Sequence, residues 1–325
     1  MTAHHTDTTA VGAPSPTAEA SGTWTLGDRT VRRMGFGAMR LPQTGEALVE
    51  HAVPRDRDQA IAVLRGAVEL GVNHIDTAAF YFSPLRSANE LINSALAPGG
   101  RYPDDLVITT KVGPARDASG AWAAHARTPR ALRAQVEENL RQLGRDHLDV
   151  VNLRIVGPDP VAERFGALAE LREAGLIRHL GLSNVRPEHL EEARRIAPVV
   201  CVQNMYGIGV RPEDEAFVRR CGELGVAFVP FYAIAAGGRE KGAASAEPAE
   251  VLTVARAHGA SPSQVRLAWT LHQGPHLLAI PGTGDPAHLA ANVAAGGLRL
   301  SAEDLALLDS AHRAPVRRAA SDRSR

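Results

Sequence analysis

The sequence is poor in cysteine and in lysine, and neither sign of charge is in excess. Cys201 and Cys221 are its two cysteines, so no disulfide framework is expected and a reducing cytoplasm is the default compartment. Lys plus Arg and Asp plus Glu both number 36, which gives no electrostatic case for nucleic acid or an anionic membrane as partner. No stretch approaches the roughly 18 apolar residues of a membrane span. The first residues have no basic start and no apolar run, so they do not read as a signal peptide. Residues 1–22, rich in Ala, Thr, Ser and Pro, read as a disordered tail in which His4 and His5 are incidental. There is no Walker lysine loop, no His-Glu-x-x-His and no Gly-x-Ser-x-Gly, and no metal is expected. The basic residues are arginines except for Lys111 and Lys241. A lysine in so Arg-biased a chain marks a place where arginine cannot do the job. For Lys241, in a Gly/Ala-rich loop, chance suffices.

What is present is an alternation. Trp24–Val31 reads as a small hairpin around Gly27-Asp28. Met34–Met39 reads as a short strand, followed by a Pro/Gly loop to about residue 55. Ile61, Leu64 and Val68 then recur at helical spacing, and Gly71 stops that helix. Strands near 35, 75, 108, 150, 180, 201, 228 and 278 each lead towards a helix. Thr128-Pro129, Ser261-Pro262 and Ser301 are helix openings. Strands alternating with helices imply right-handed crossovers and a parallel sheet. Eight units in 325 residues suit a closed (β/α)8 TIM barrel over 23–312, with an Arg-rich tail at 313–325. An open doubly wound sheet is the competing architecture. Gly35-Phe-Gly37 lacks the third glycine of a dinucleotide fingerprint, which argues against it.

In a barrel the C-terminal strand ends share one mouth. Asp76, Lys111, Asn152 with Arg154, Ser183 with Asn184, Gln203 with Asn204, Phe231 and Pro281–Gly284 all fall at such ends. Each has an ordinary reading: Asp76 as a turn cap, Lys111 as a surface lysine, Asn204 as a tie to loop backbone, Arg154 as an ion-pair donor. Their regular placement on successive strands argues for a site. A free phenol has a pKa of about 10, and an adjacent ammonium stabilises its ionised form. Asp76, Lys111 and Tyr81 therefore suit proton donation to a developing alkoxide, a role that calls for a hydride source. A Ser/Asn/Gln/Asn ring suits a carboxamide, Phe231 suits stacking, and Thr283-Gly284 before a helix suits a phosphate.

The motifs Gly35-Phe-Gly-Ala-Met39, Asp76-Thr-Ala-x-x-Tyr81, Ile108-Thr-Thr-Lys111, Gly181-Leu-Ser-Asn184, Val202-Gln-Asn204 and Ile280-Pro-Gly282 leading to Asn292 together resemble the aldo-keto reductase superfamily. The resemblance implies carbonyl reduction by NADPH lying across the barrel mouth, in a monomer or weak homo-oligomer. It implies Asp76, Tyr81 and Lys111 as catalytic residues, with Tyr81 the acid. Gly37, Ala38, Met39, Asp76, Ser183, Asn184, Gln203, Phe231, Gly282, Thr283, His288 and Asn292 become the expected cofactor contacts. Arg154 stands where the family usually carries its fourth catalytic residue, a histidine. Many members place Lys or Arg against the 2′-phosphate in the stretch that here holds Gly282, Thr283, Gly284 and His288, which leaves NADH open.

The Val-Asn-Leu-Arg154 variant looks most like the bacterial pyridoxal reductase branch. The expected substrate is a small-molecule carbonyl compound, pyridoxal first. Two other readings are a ketoreductase tailoring a sugar or polyketide and a cofactor-binding regulatory subunit with little turnover. Loops 42–55, 81–88 and 232–248 should set substrate choice, with Phe82–Arg86 as a pocket wall.

Overall fold

Seven short parallel strands lie side by side in sequence order: β1 (Phe36–Gly37), β2 (His74–Asp76), β3 (Val107–Val112), β4 (Leu148–Arg154), β5 (Ile177–Ser183), β6 (Val199–Gln203) and β7 (Ala227–Phe228). They belong to a computed structural model that describes residues 17–45, 48–49, 52–116, 121–234 and 247–314. The sheet closes on itself through residues 277–280. Leu277 bridges Phe228 on one side and Ala279 bridges Met34 on the other, both in parallel. The seam is held by Leu278 N–H to Phe228 O (3.0 Å), Ala279 N–H to Arg33 O (2.8 Å) and Gly35 N–H to Ala279 O (2.8 Å). The eighth segment thus completes a (β/α)8 barrel although it is too irregular to be a strand.

Helices pack outside the sheet. After β1 come α1 (Arg57–Glu69), then α2 (Ala88–Leu96), α3 (Pro129–Leu143), α4 (Ala162–Glu173), α5 (Pro187–Arg194), α6 (Glu215–Glu223), α7 (Ala249–Ala257), α8 (Pro262–His272), α9 (Pro286–Ala294) and α10 (Ala302–Arg313). Their starts follow local chemistry. Thr128 caps α3 by accepting from Ala131 N–H, and Ser261 and Ser301 form capping boxes with Gln264 and Asp304.

The barrel interior has a small apolar floor and a polar middle. Leu26 and Val31, from the hairpin Thr23–Leu26 and Arg29–Arg32, pack with Val107, Val150 and Leu278 at the bottom. Above them sit His74, Thr109, Asn152 and Cys201, all buried. The main apolar core lies between strands and helices and includes Phe36, Ile75, Leu91, Val136, Leu180 and Trp269.

Several local expectations change. The strand expected over 34–39 is confined to 36–37, and Ala38–Arg40 turn into a 3-10 helix. The tail expected through residue 22 ends earlier. Ala18–Ser21 form a 3-10 turn, with Ala18 buried and Ser21 accepting from Met34 N–H at 2.9 Å. Three pairs of very short antiparallel strands were not anticipated: Gln43–Thr44 with Val53–Pro54, inside the stretch expected to be a loop, Phe82–Ser83 with Arg86–Ser87, and Ala115–Arg116 with Trp122–Ala123. The last two stand at the barrel mouth. Residues 1–16, Lys241 and most of the tail from 315 onward lie outside the described residues.

Burial of His74 has a measurable consequence. Its Nε2 pairs with Thr109 Oγ1 at 3.1 Å, and burial pushes the imidazole down to about 4. The unfolded chain takes up a proton near pH 6.5 that the folded protein refuses until about pH 4. Stability from this residue is therefore full above pH 6.5 and is lost as pH falls towards 4, by up to roughly 3 kcal/mol. Urea midpoints measured from pH 7.5 to 4.5 should fall less steeply in His74→Gln than in the parent protein; parallel slopes would contradict this.

Candidate active site

Strand register brings the polar strand ends together. Asp76 pairs with Thr109, Lys111 with Asn152, Arg154 with Ser183, and Ser183 with Gln203. Side chains alternate along a strand, so Asp76, Lys111 and Gln203 point into the barrel. Lys111 Nζ donates to Asp76 Oδ1 at 2.5 Å and to Thr77 O at 3.0 Å. Gln203 Nε2 donates to Asp76 Oδ2 at 2.8 Å. Both carboxylate oxygens are thus occupied, and the pair is almost wholly buried. Burial opposes the charge on Lys111, but the Asp76 carboxylate and the Tyr81 hydroxyl outweigh it and hold the ammonium above its ordinary range. Lys111 Nζ lies 4.8 Å from the centre of the Tyr81 ring.

A second buried network holds this pair from behind. Thr77 Oγ1 donates to Asn89 Oδ1 (2.8 Å), Asn89 Nδ2 to Asn139 Oδ1 (2.9 Å), and Thr110 Oγ1 to the same oxygen (2.6 Å). It ties the loop after β2 to α2, α3 and β3. Neither asparagine has a sequence signature beyond a polar residue on the apolar face of a helix.

Above the pair opens a cavity of about 830 Å³. Its walls include Gly37, Met39, Asp76, Tyr81, Lys111, Arg154, Gln203, Phe231, Gly282, Thr283, His288 and Asn292, twelve of the residues expected there. Gly37 and Gly282 are glycines for a steric reason. A Cβ on Gly37 would lie 2.6 Å from Ile280 O, and one on Gly282 would lie 2.5 Å from Gly37 O. Arg154 donates from Nη1 to Ser183 Oγ at 3.2 Å, and its guanidinium carbon stands 5.2 Å from the Phe231 ring centre.

Other expected residues do not line the cavity. Ala38 is buried in the core. Ser183 is buried beneath Arg154. Asn184, with φ 60°, is exposed and donates to Ile155 O at 3.0 Å. Asn204 serves loop backbone, bonding both N–H and C=O of Val185. The amides at the start of α9 are also not open to a phosphate, because Asp285 already accepts from Ala287 N–H and His288 N–H. Phe82–Arg86, expected as a wall, is not one; Phe80 takes that place.

The cavity also has residues that sequence reasoning missed. Trp122 and His125 arrive from the segment after β3; Tyr232 to Ile234, from the start of the expected 232–248 loop, join them. Burial and the charges of Arg127, Arg154 and Arg164 push His125 below its ordinary value, so it stands neutral beside a charged Arg154 at neutral pH.

The aldo/keto reductase family model matches residues 33–313. The chain belongs to the aldo/keto reductase family. It is therefore an oxidoreductase acting on CH–OH and C=O groups. Pyridoxine 4-dehydrogenase of Escherichia coli K12 is 44% identical over 301 residues, which span 90% of this chain and 99% of that one. Probable aldo-keto reductase 1 of Glycine max is 30% identical, spanning 85% and 84%. Among solved structures, an aldo-keto reductase from Klebsiella pneumoniae in complex with NADPH matches with TM-score 0.73 at 27% identity, covering 91% of this chain and 96% of that one. Among the described residues of this reductase, no helix is long and apolar enough to cross a membrane and no cluster of metal ligands occurs.

Removing one charge of the buried pair should be costly. Asp76→Asn leaves the Lys111 ammonium buried against a neutral amide, and a loss of about 3–5 kcal/mol is expected from chemical denaturation at pH 7. A loss under about 1 kcal/mol would mean that the pair is wetter than the geometry indicates.

Proposed function

We propose that this reductase uses NADPH to reduce an aldehyde or ketone, with Tyr81 as proton donor and pyridoxal, reduced to pyridoxine, as the first substrate to test. The observation that carries the cofactor reading is Gln203. Its Nε2 is spent on Asp76, while its Oε1 is buried with no hydrogen-bond partner. An unpaired acceptor at the base of a cavity costs stability unless a ligand donor satisfies it. A nicotinamide carboxamide offers such a donor. Phe231, lining the same cavity, supplies an aromatic face, and Gly37 and Gly282 line it too, without side chains that would fill it. The Klebsiella pneumoniae relative in complex with NADPH supports the phosphorylated form. The identity to Escherichia coli pyridoxine 4-dehydrogenase supports pyridoxal.

Bound NADPH supplies the hydride that reaches the carbonyl carbon. The residues of the chain handle the oxygen. The Tyr81 hydroxyl passes its proton to the oxygen as negative charge develops there. Lys111, held charged by Asp76, offsets the negative charge left on the phenol. Thr77 O and Asp76 fix two of the ammonium's three donors, so its position is set before substrate arrives. Arg154 keeps its charge and presents several donors at the rim. It polarises the substrate carbonyl or holds an acidic ring substituent.

NADPH oxidation with pyridoxal, simple aldehydes and keto-sugars, repeated with NADH, tests the reading. Tyr81→Phe should lower kcat by about 10²–10⁴ with NADPH affinity unchanged. Turnover untouched by Tyr81→Phe would remove the mechanism. Arg154→Ala should lower kcat/KM for the preferred substrate by about a hundredfold, and no effect on any active substrate would remove its role. Tight NADPH binding without turnover of any carbonyl compound would favour the regulatory reading.

A further inference from the structure

We propose that Arg116 is the positioning residue of the substrate pocket: packed between Trp122 and Phe82, it sets Trp122 as a stacking wall that selects planar aromatic carbonyl compounds. The inference rests on the reductase reading of the same cavity and adds the residues that choose the substrate.

The geometry is that of two loops pinned by one cation. Arg116 and Trp122 face each other across the short antiparallel pair after β3. The guanidinium carbon of Arg116 lies 4.0 Å from the centre of the Trp122 ring and 5.0 Å from that of Phe82. Phe82 belongs to the other short pair, which follows β2 and Tyr81. A planar, weakly hydrated cation over two aromatic faces attracts both, and the indole is the stronger partner. Arg116 therefore joins the segment after β3 to the segment that carries Tyr81.

An aromatic path runs from this joint to the reacting end. Trp122 is 6.1 Å from Phe80 at an interplanar angle of 52°, and Phe80 is 5.1 Å from Tyr81 at 81°. Trp122, Phe80 and Tyr81 all line the cavity. Trp122 is 47% exposed, unusual for the largest apolar side chain. With Arg116 against its ring, Trp122 still contributes to the cavity wall. A flat, rigid ring entering beside Tyr81 covers that surface by stacking. A short aliphatic aldehyde covers little of it. The wall therefore discriminates by ring area, and its position depends on a residue that does not itself line the cavity.

The test uses the enzyme saturated with NADP+, which binds a carbonyl compound without reducing it. Pyridine-4-carbaldehyde is titrated while tryptophan fluorescence is followed. Trp122 is the most exposed of the three tryptophans, Trp269 being buried and Trp24 partly so. Arg116→Ala should weaken the dissociation constant about tenfold, with Arg116→Lys in between because it keeps the charge without the planar stack. In turnover with NADPH, the ratio of kcat/KM for pyridine-4-carbaldehyde over propanal should fall about tenfold, with the loss in KM. Trp122→Phe, which keeps a ring against Arg116, should lower the same ratio and decides the matter if Arg116→Ala does not fold. An unchanged dissociation constant and ratio, or an equal loss for both aldehydes, would overturn the proposal while leaving the reductase reading intact. Fluorescence quenching that depends on Arg116 in an enzyme that transfers no hydride would uphold the wall and remove the reductase reading.

Discussion

The buried ion pair between Lys111 and Asp76 is the constraint on which the mouth of the barrel depends. Taking both charges out of water is expensive, and their attraction alone does not repay it. The cost is offset because both carboxylate oxygens and two of the ammonium's donors are used. Thr77 O and Gln203 Nε2 add hydrogen bonds to the pair, and strands β2, β3 and β6 are thereby locked at their C-terminal ends. A cation fixed this firmly at one side of the Tyr81 ring is a permanent feature of the site rather than one that substrate must induce.

The remainder of the barrel is arranged to tolerate that polarity. The Thr77–Asn89–Asn139–Thr110 chain carries hydrogen bonding outward into the helices, and His74 stands neutral below it. The hairpin residues Leu26 and Val31 close the opposite end with apolar side chains. The cavity consequently has unlike walls. One is backbone and glycine, where β1 meets residues 280–283. The other is aromatic, built by Phe80 in the turn after β2 and Trp122 on the short strand pair after β3. Arg154 and His125 stand between them, one charged and one held neutral by burial and by its arginine neighbours.

Much of the fold was legible in the chain because it is written in local chemistry. Capping residues at Thr128, Ser261 and Ser301 and helical spacing at Ile61, Leu64 and Val68 mark elements that the structure contains. The lysine shortage singled out Lys111, and the structure buries it against Asp76. Local signals were weakest where neighbours decide. The eighth segment is too irregular to be a strand, and its closure rests on bridges to Phe228 and to Met34, the latter over two hundred positions earlier. Asn184 follows a strand end as Gln203 does, yet with its positive φ it spends its side-chain amide on Ile155 O instead of the cavity.

The sequence by itself determined the order of strands and helices, the family, and which polar residues end the strands. These follow from periodicity, capping and motif spacing, all of which act over a few residues. Tertiary structure alone decided which of those residues meet. Gln203 turns its amide to Asp76 and leaves its oxygen unpaired, Asp285 fills the helix end expected for a phosphate, and Phe82 is withdrawn from the cavity to pack on Arg116. Such outcomes depend on barrel closure and on contacts between loops far apart in the chain, and no local pattern encodes them.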